Sequence, residues 1–408
     1  MKKRLIGHLD ADCFYVSAER VRFPFLRGQP VGVLGNQGAC VIAKSYELKA
    51  KGVSTGMPIW DAAKLCPEAV FVKRDFRWYE VLSRKMLDLL HQVSPRVEYY
   101  SIDEMFFDAT DLPQVFGLPR DEAVTELQRR MLEEIGVPAS IGIAATKTLA
   151  KLGSDSAKPF GCRVLLEDPD SFLQSQPVGE LCGIGRRSEQ KLAEHGILTC
   201  WDFSQADRLF IRNLLTIKGE ALWYELHGDS VQSILTKRPP HKCISRGGSL
   251  GKATADPRRL TGWVARNTER LIEELDYYQV FTQRLTMMLE FKEGGGWSGS
   301  VSLMEPTASF NTLVEAGKML MAEANVPTRV SHMHLLAEPL CFRRMVQRNL
   351  FSRGNNPRSE RLAAVKRLIN EKVGRFVVRS GDTLHLPDIY EDTTNRYDIC
   401  DVHGKMCF

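Results

Sequence analysis

The chain starts with a short apolar run, Leu5-Ile6-Gly7-His8-Leu9, that stops on acids at Asp10-Ala11-Asp12. A run this short, closed by polar residues, is strand-like. A buried strand with carboxylates at its tip constrains the fold to a sheet whose end carries a site. Residues 97–108 have a similar form: strand, turn and strand, with Asp103-Glu104 at the turn. An amphipathic helical pattern at 120–135 is followed by a strand at 139–144 and a helix from about 147 to 157. Val81, Leu82, Met86, Leu89, Leu90 and Val93 give 78–93 helical spacing. This alternation predicts one α+β sheet unit ending near residue 165.

Within it, residues 25–67 read as strand, turn and short helix, broken by glycines and prolines such as Gly28, Pro30, Gly52 and Pro58. From 177 to 235 the pattern is short helices punctuated by Gly183, Gly185, Gly196 and Gly219, without a strand signal. TKRPPH (236–241) reads as a linker. Beyond it come an alternating strand, a helix opening at Asp256-Pro257, and a strand at 284–291. A Gly294-Gly295-Gly296 turn, another strand, a helix near 312–324 and a strand at 329–336 complete a βαββαβ order. Residues 352–408 form a tail with one helical stretch at 359–373.

The 408 residues exceed one ordinary core, and 43% hydrophobic with 26% charged residues is a globular balance. No apolar run is long enough to span a bilayer and no secretory signal opens the chain, so a cytoplasmic protein without a membrane partner is expected. Ten cysteines without a CxxC pair point to reduced thiols. Cys400, His403 and Cys407 lie close together, but irregular spacing and a missing near fourth ligand argue against zinc. A net charge of +5 is compatible with a polyanionic partner.

Acids at strand ends, distant in sequence but able to meet on neighbouring strands, can hold two Mg²⁺ ions through oxygen ligands. Such a pair activates a hydroxyl and stabilises leaving pyrophosphate during in-line attack. Lys147, Lys151 and Lys158, in SIGIAATKTLAKLGSDSAKPFG (140–161), are placed to neutralise a triphosphate.

Residues 9–15 (LDADCFY), 40–58 (CVIAKSYELKAKGVSTGMP), 94–104 (SPRVEYYSIDE) and 141–152 (IGIAATKTLAKL) together resemble the Y-family DNA polymerases of the bacterial UmuC and DinB group. The likeness covers nearly the whole chain and is strongest toward the UmuC branch. It implies a right-hand α+β fold: palm from 1–13 and 75–165, fingers from 14–74, and a helical thumb with a helix-hairpin-helix from 166–235. The linker 236–241 would lead to a βαββαβ little finger at 242–345, then a clamp-binding peptide and tail at 346–408. It further implies low-fidelity synthesis past damaged template, as in SOS-type damage tolerance, on primer-template DNA with deoxynucleoside triphosphates and two Mg²⁺ ions.

By the same resemblance Asp10 and Asp103 are the metal ligands, Glu104 is the third catalytic carboxylate, and the backbone carbonyl of Ala11 completes a metal shell. Asp12 is expected to turn its side chain to the other face of the strand and is left out. Tyr15 matches the steric gate that excludes a ribose 2′-hydroxyl; Phe14 beside it belongs to the same pocket segment but reads as a core aromatic. Tyr46, Lys49 and Lys158 match triphosphate-binding positions, with lysine at 49 where many members carry arginine. Leu181-Cys182-Gly183-Ile184-Gly185 resembles a hairpin turn whose Gly183 and Gly185 let backbone N–H groups approach a DNA phosphate. Lys242, Arg246, Lys252, Arg284 and Arg329 suit phosphate contacts from the little finger.

Gln347-Arg348-Asn349-Leu350-Phe351 resembles the bacterial sliding-clamp peptide, with Gln347 hydrogen-bonding and Leu350 and Phe351 filling an apolar pocket. RecA or a UmuD-like protein is a further partner that a UmuC-like tail would suit. Two other readings compete: a catalytically silent accessory that binds DNA and clamp, and a palm-type nucleotidyl cyclase.

Overall fold

The structure is a computed structural model that describes residues 4–35, 40–166, 169–237, 239–346, 357–374 and 376–386, with short backbone stretches at Glu391–Asp392 and Tyr397–Asp398. The chain divides between Arg238 and Pro239 into two compact units, inside the proline-containing stretch 236–241.

The first unit runs β1 (Ile6–Ala11), α1 (Phe14–Arg22), β2 (Val31–Leu34), β3 (Val41–Lys44), α2 (Tyr46–Ala50), α3 (Ile59–Leu65), β4 (Val70–Lys73) and α4 (Phe76–Val93). It continues with β5 (Val97–Tyr99), β6 (Glu104–Asp108), α5 (Leu112–Phe116), α6 (Arg120–Arg130), β7 (Ala139–Ala144), α7 (Lys147–Ser156) and β8 (Cys162–Leu165). Four helices close it: α8 (Pro169–Ser175), α9 (Arg186–Ala193), α10 (Cys200–Gln205) and α11 (Arg208–Leu226). Five strands form one sheet in the order β5-β6-β1-β7-β8, and β3-β2-β4 form a smaller one.

All six residues of β1 are buried, because the sheet is covered on both faces. Leu9 and Ala11 join the core that contains Leu82, Met86, Leu89 and Leu90 of α4, while Ile6 packs with Leu149 and Leu152 of α7. Burial on two sides explains why β1 shows no polar alternation. Helix α4 begins at Phe76, two residues before its apolar spacing, because the Asp75 side chain accepts from the Trp78 N–H and caps it. The pattern over 120–135 is helical but not uniform: Met131–Ile135 widens into a π turn, closed by Gly136 at φ 84°.

Helix α7 lies directly on β7. A Cβ at Gly142 would sit 2.0 Å from the Ala150 carbonyl oxygen and 2.5 Å from the Ser154 nitrogen, both backbone atoms that cannot swing aside. Gly142→Ala is therefore expected to cost more than about 3 kcal/mol of unfolding free energy. The check is the urea midpoint; an unchanged value would show that α7 lifts off β7 freely.

The second unit is the βαββαβ order read from the sequence: β9 (Ile244–Thr254), α12 (Pro257–Tyr277), β10 (Val280–Phe291), β11 (Gly296–Thr307), α13 (Phe310–Glu323) and β12 (Val330–Ala337). The sheet order is β11-β10-β12-β9, with a short β13 (Leu340–Phe342) added to β10. Leu260, Val264 and Leu271 of α12 and Leu313 and Leu320 of α13 share its core with Leu285, Met287 and Leu335. A last helix, α14 (Pro357–Val373), is tied to α12 by Lys366 and Glu269 at 2.6 Å. Gln347, Leu350, Phe351, Cys400, His403 and Cys407 lie outside the described residues. Among the described residues no helix is long and apolar enough to cross a membrane.

Candidate active site

The tip of β1 brings the distant acids together. Asp10 stands opposite Glu104 on β6 and opposite Ser140 on β7 in the antiparallel registers. The Ala11 N–H donates to the Asp103 carbonyl at 2.9 Å, which holds the 100–103 turn against the strand end. Within that turn the Ser101 hydroxyl donates to the Asp103 Oδ1 at 2.5 Å and accepts from the Glu104 N–H at 3.1 Å.

This crowding has an electrostatic cost. Burial pushes the Asp10 carboxyl up to about 7; Lys158 opposes the rise, while Glu104 and Asp103 add to it. Burial also raises Asp103, with the Ser101 bond opposing and Glu104 reinforcing. Two ammonium groups offset the charge. Lys158 Nζ lies 2.7 Å from Asp10 Oδ2 and 2.9 Å from Asp155 Oδ1. Lys151 pairs with Glu104 and lies 3.5 Å from Asp155. Despite burial, which lowers an ammonium, these acids hold both lysines above their ordinary range. Among the described residues no three His, Cys, Asp or Glu side chains are grouped to hold a metal ion. The donor set is nonetheless all oxygen, and its mutual repulsion is what a hard divalent cation relieves.

The Asp10 shift gives a pH signature. In the folded protein the carboxyl keeps its proton to about 7, while the unfolded chain releases it near 3.8. Its contribution to stability is therefore full at low pH, is lost as pH rises through the folded value, and is flat above. In metal-free buffer, wild type minus Asp10→Asn should show stability falling between about pH 4 and pH 7. A pH-independent difference in denaturation midpoints would contradict the burial of this carboxylate.

Beneath Glu104 lies His8, fully buried, its ring 4.4 Å from that of Phe106. Ser154 donates its proton to the Lys151 carbonyl at 2.8 Å, so its oxygen accepts from His8 Nδ1 at 2.6 Å. Burial, then Lys151 and Lys158, hold the imidazole neutral, and its Nε2 faces Glu104 at 3.8 Å.

Tyr15, in the first turn of α1, is half-buried. Its ring stacks on Tyr79 at 4.7 Å and meets the edge of Phe76 at 5.7 Å. Burial and then Asp103 raise its hydroxyl above the ordinary tyrosine range. Phe14 is 3% exposed and belongs to the core.

Asp12 corrects an expectation. Asp12 is a turn residue just past β1, and its side chain reaches Ser140, the residue of β7 that stands opposite Asp10. Its carboxylate is taken up by Ser140 at 3.0 Å, Tyr46 at 3.3 Å and the Phe160 N–H at 2.7 Å. Lys147 is a second correction. Its ammonium is buried against Glu98, 2.8 Å from both oxygens, and over the Phe106 ring, so it cannot meet a triphosphate. Lys49 is exposed on α2.

Gly183 has φ 103°, Gly185 caps α9, and the neighbouring Cys182 thiol lies 3.6 Å from the Tyr100 hydroxyl. In the second unit Arg246 pairs with Glu274, Arg284 with Glu338 at 3.3 Å, and Arg329 with Glu293 at 2.6 Å, while Lys242 and Lys252 are exposed. Sequence reasoning missed His8, Tyr79, Glu98 and the bonding of Asp12; each depends on a partner remote in sequence.

Residues 9–155 match the impB/mucB/samB family model and 241–350 match the C-terminal domain model of the same family. DNA polymerase IV 1 of Bacillus subtilis (strain 168) is 31% identical over 94% of this chain and 94% of its own length. DNA polymerase IV of Bacillus velezensis is 32% identical over 93% of each. A solved Y-family DNA polymerase chimera of Dbh and Dpo4 has a similar fold, with a TM-score of 0.70 over 83% of this chain and 99% of its own, at 21% identity. The chain belongs to the impB/mucB/samB family and, through it, to the Y-family DNA polymerases, which are DNA-directed enzymes. Its relatives narrow the UmuC and DinB group to the DinB type.

Proposed function

We propose that the chain extends a primer on a DNA template, damaged template included, by Mg²⁺-dependent nucleotidyl transfer centred on Asp10, Asp103 and Glu104. The observation that carries this is the cross-strand pairing of Asp10 with Glu104, with the Asp103 turn held against the same strand end by the Ala11 N–H. These acids, with the Ala11 carbonyl, would hold two Mg²⁺ ions, which when bound supply activation of the primer 3′-hydroxyl and stabilisation of the leaving pyrophosphate.

The chain's own groups do the rest. Lys158, released from Asp10, is in reach of the incoming triphosphate, with Tyr46 and Lys49 on α2 as its companions. Tyr15, backed by Tyr79, walls the sugar side of the pocket and rejects a ribose 2′-hydroxyl. The N–H groups at Gly183 and Gly185 suit sequence-independent contact with a DNA phosphate. On this reading the five-stranded sheet is the palm, the small sheet with α2 and α3 the fingers, 166–235 the thumb and 242–345 the little finger. The expected setting is the cytoplasm, in damage tolerance, with primer-template DNA and deoxynucleoside triphosphates as substrates.

Gln347, Leu350 and Phe351 support a sliding clamp as partner through their sequence pattern alone; RecA or a UmuD-like protein would be further partners. Deleting Leu350 and Phe351 is expected to remove the stimulation of synthesis by a loaded clamp. Equal stimulation of the deletion variant would rule this partner site out.

The test of the catalytic reading is primer extension with Mg²⁺ and the four deoxynucleotides beside an acid-to-amide variant. Templated addition by wild type alone supports it. Extension by neither would favour a silent scaffold.

A further inference from the structure

Asp12 is 3% exposed and, among the described residues, has no lysine or arginine as an ion-pair partner, yet it is one of the most connected side chains of the site. Its main chain is fixed first. The Asp12 N–H donates to the Pro138 carbonyl at 2.9 Å, and its carbonyl accepts from the Ser17 hydroxyl at 2.5 Å. Cys13 then turns the chain into α1 through a left-handed conformation, φ 45°. With the backbone held, the carboxylate has a defined direction.

Three elements reach it. Ser140 of β7 donates at 3.0 Å, Tyr46 at the start of α2 donates at 3.3 Å, and the Phe160 N–H donates at 2.7 Å. Phe160 is itself left-handed, φ 48°, and lies two residues from Lys158 in the turn between α7 and β8. Gly161 closes the turn, its N–H reaching the Ser140 oxygen at 3.4 Å. A buried carboxylate satisfied by neutral donors is costly to expose and costly to leave unpaired, so it fixes what it touches.

We infer that Asp12 is a positioning residue for the incoming nucleotide: its buried carboxylate sets Tyr46 directly and Lys158 through the Phe160 turn. The inference rests on Tyr46 and Lys158 being triphosphate contacts. Tyr46 has one proton to give. While it is donated to Asp12 the ring is parked at the palm edge, and at 3.3 Å the bond is long enough to yield to a stronger phosphate acceptor. Asp12 thus holds the fingers helix in place until the nucleotide takes over the hydroxyl.

Steady-state single-nucleotide insertion on a primer-template, over a range of deoxynucleotide and Mg²⁺ concentrations, tests this. Asp12→Asn keeps the shape but turns an N–H₂ toward one donor. It is expected to raise KM for the nucleotide about tenfold with kcat within about threefold, and to leave the half-saturating Mg²⁺ concentration unchanged. Tyr46→Phe should also raise KM, and the double variant should be less impaired than the product of the singles. If Asp12→Asn fails to fold, Ser140→Ala replaces it. That change removes one donor and leaves the Tyr46 and Phe160 bonds, with an expected rise in KM of about threefold.

A fall in kcat at constant KM, or a shift in Mg²⁺ dependence, would make Asp12 part of the chemistry and overturn the inference. An unchanged KM in the folded Asp12→Asn or Ser140→Ala variant would do the same. If Tyr46→Phe and Lys158→Met both leave KM unchanged, it is the pocket reading that fails, and the positioning role falls with it.

Discussion

Asp103→Asn should reduce primer extension by about 10³-fold or more while the folded protein remains at least as stable as wild type. The two halves of that expectation have one cause. Asp103 is raised by burial and by Glu104, so the folded state already disfavours its charge. Asparagine keeps the size and the contact with Ser101 and removes the repulsion. What stabilises the fold therefore removes the charge that a divalent cation needs. Thermal unfolding and single-turnover extension on the same preparation separate the effects. A variant that loses activity only because it unfolds would refute the electrostatic half, and one that retains activity would remove Asp103 from the site.

Tyr15→Ala is the second large effect. In the proposed role of sugar gate, Tyr15 is a wall only if its ring cannot retreat, and the structure holds that ring from behind. Tyr79 stacks on it nearly parallel, at 15°, and the Tyr79 hydroxyl donates to Glu19 at 2.8 Å. Glu19 is 1% exposed and is paired with Arg22. Removing the Tyr15 ring should lower discrimination against ribonucleotides by about 10²-fold, the scale of a lost steric clash of roughly 3 kcal/mol. Tyr79→Leu should move selectivity the same way by a smaller step, since the wall stays but its support goes. Competition between ribo- and deoxynucleotides on one template reads both; unchanged sugar selectivity in Tyr15→Ala would move the gate elsewhere.

Much of the fold was legible because its signals are local. The run before Asp10, the turn at Asp103-Glu104 and the Asp256-Pro257 helix start each declare themselves within a few residues. The meeting of Asp10 with Glu104 was legible as a pattern of strand ends. The role of Asp12 was not, because Ser140 and Phe160 lie 128 and 148 residues away. The lysines of α7 teach a similar lesson. Lys147 and Lys151 are four residues apart and share a helix face, so spacing treats them alike. They differ by one turn, about 6 Å, along the axis. That displacement puts Lys147 level with Glu98 and Lys151 level with Glu104. Axial depth against a neighbouring sheet has no counterpart in a linear pattern.

The most direct measurement is extension of a labelled primer by the wild-type chain, opposite both an intact template base and an abasic site, with Mg²⁺ and then with EDTA. Addition of the templated nucleotide on the intact template, continued addition past the abasic site, and loss of both in EDTA are expected. Nucleotide consumption without primer, or no extension on either template with Mg²⁺ present, would contradict the assignment of Asp10, Asp103 and Glu104 to templated nucleotidyl transfer.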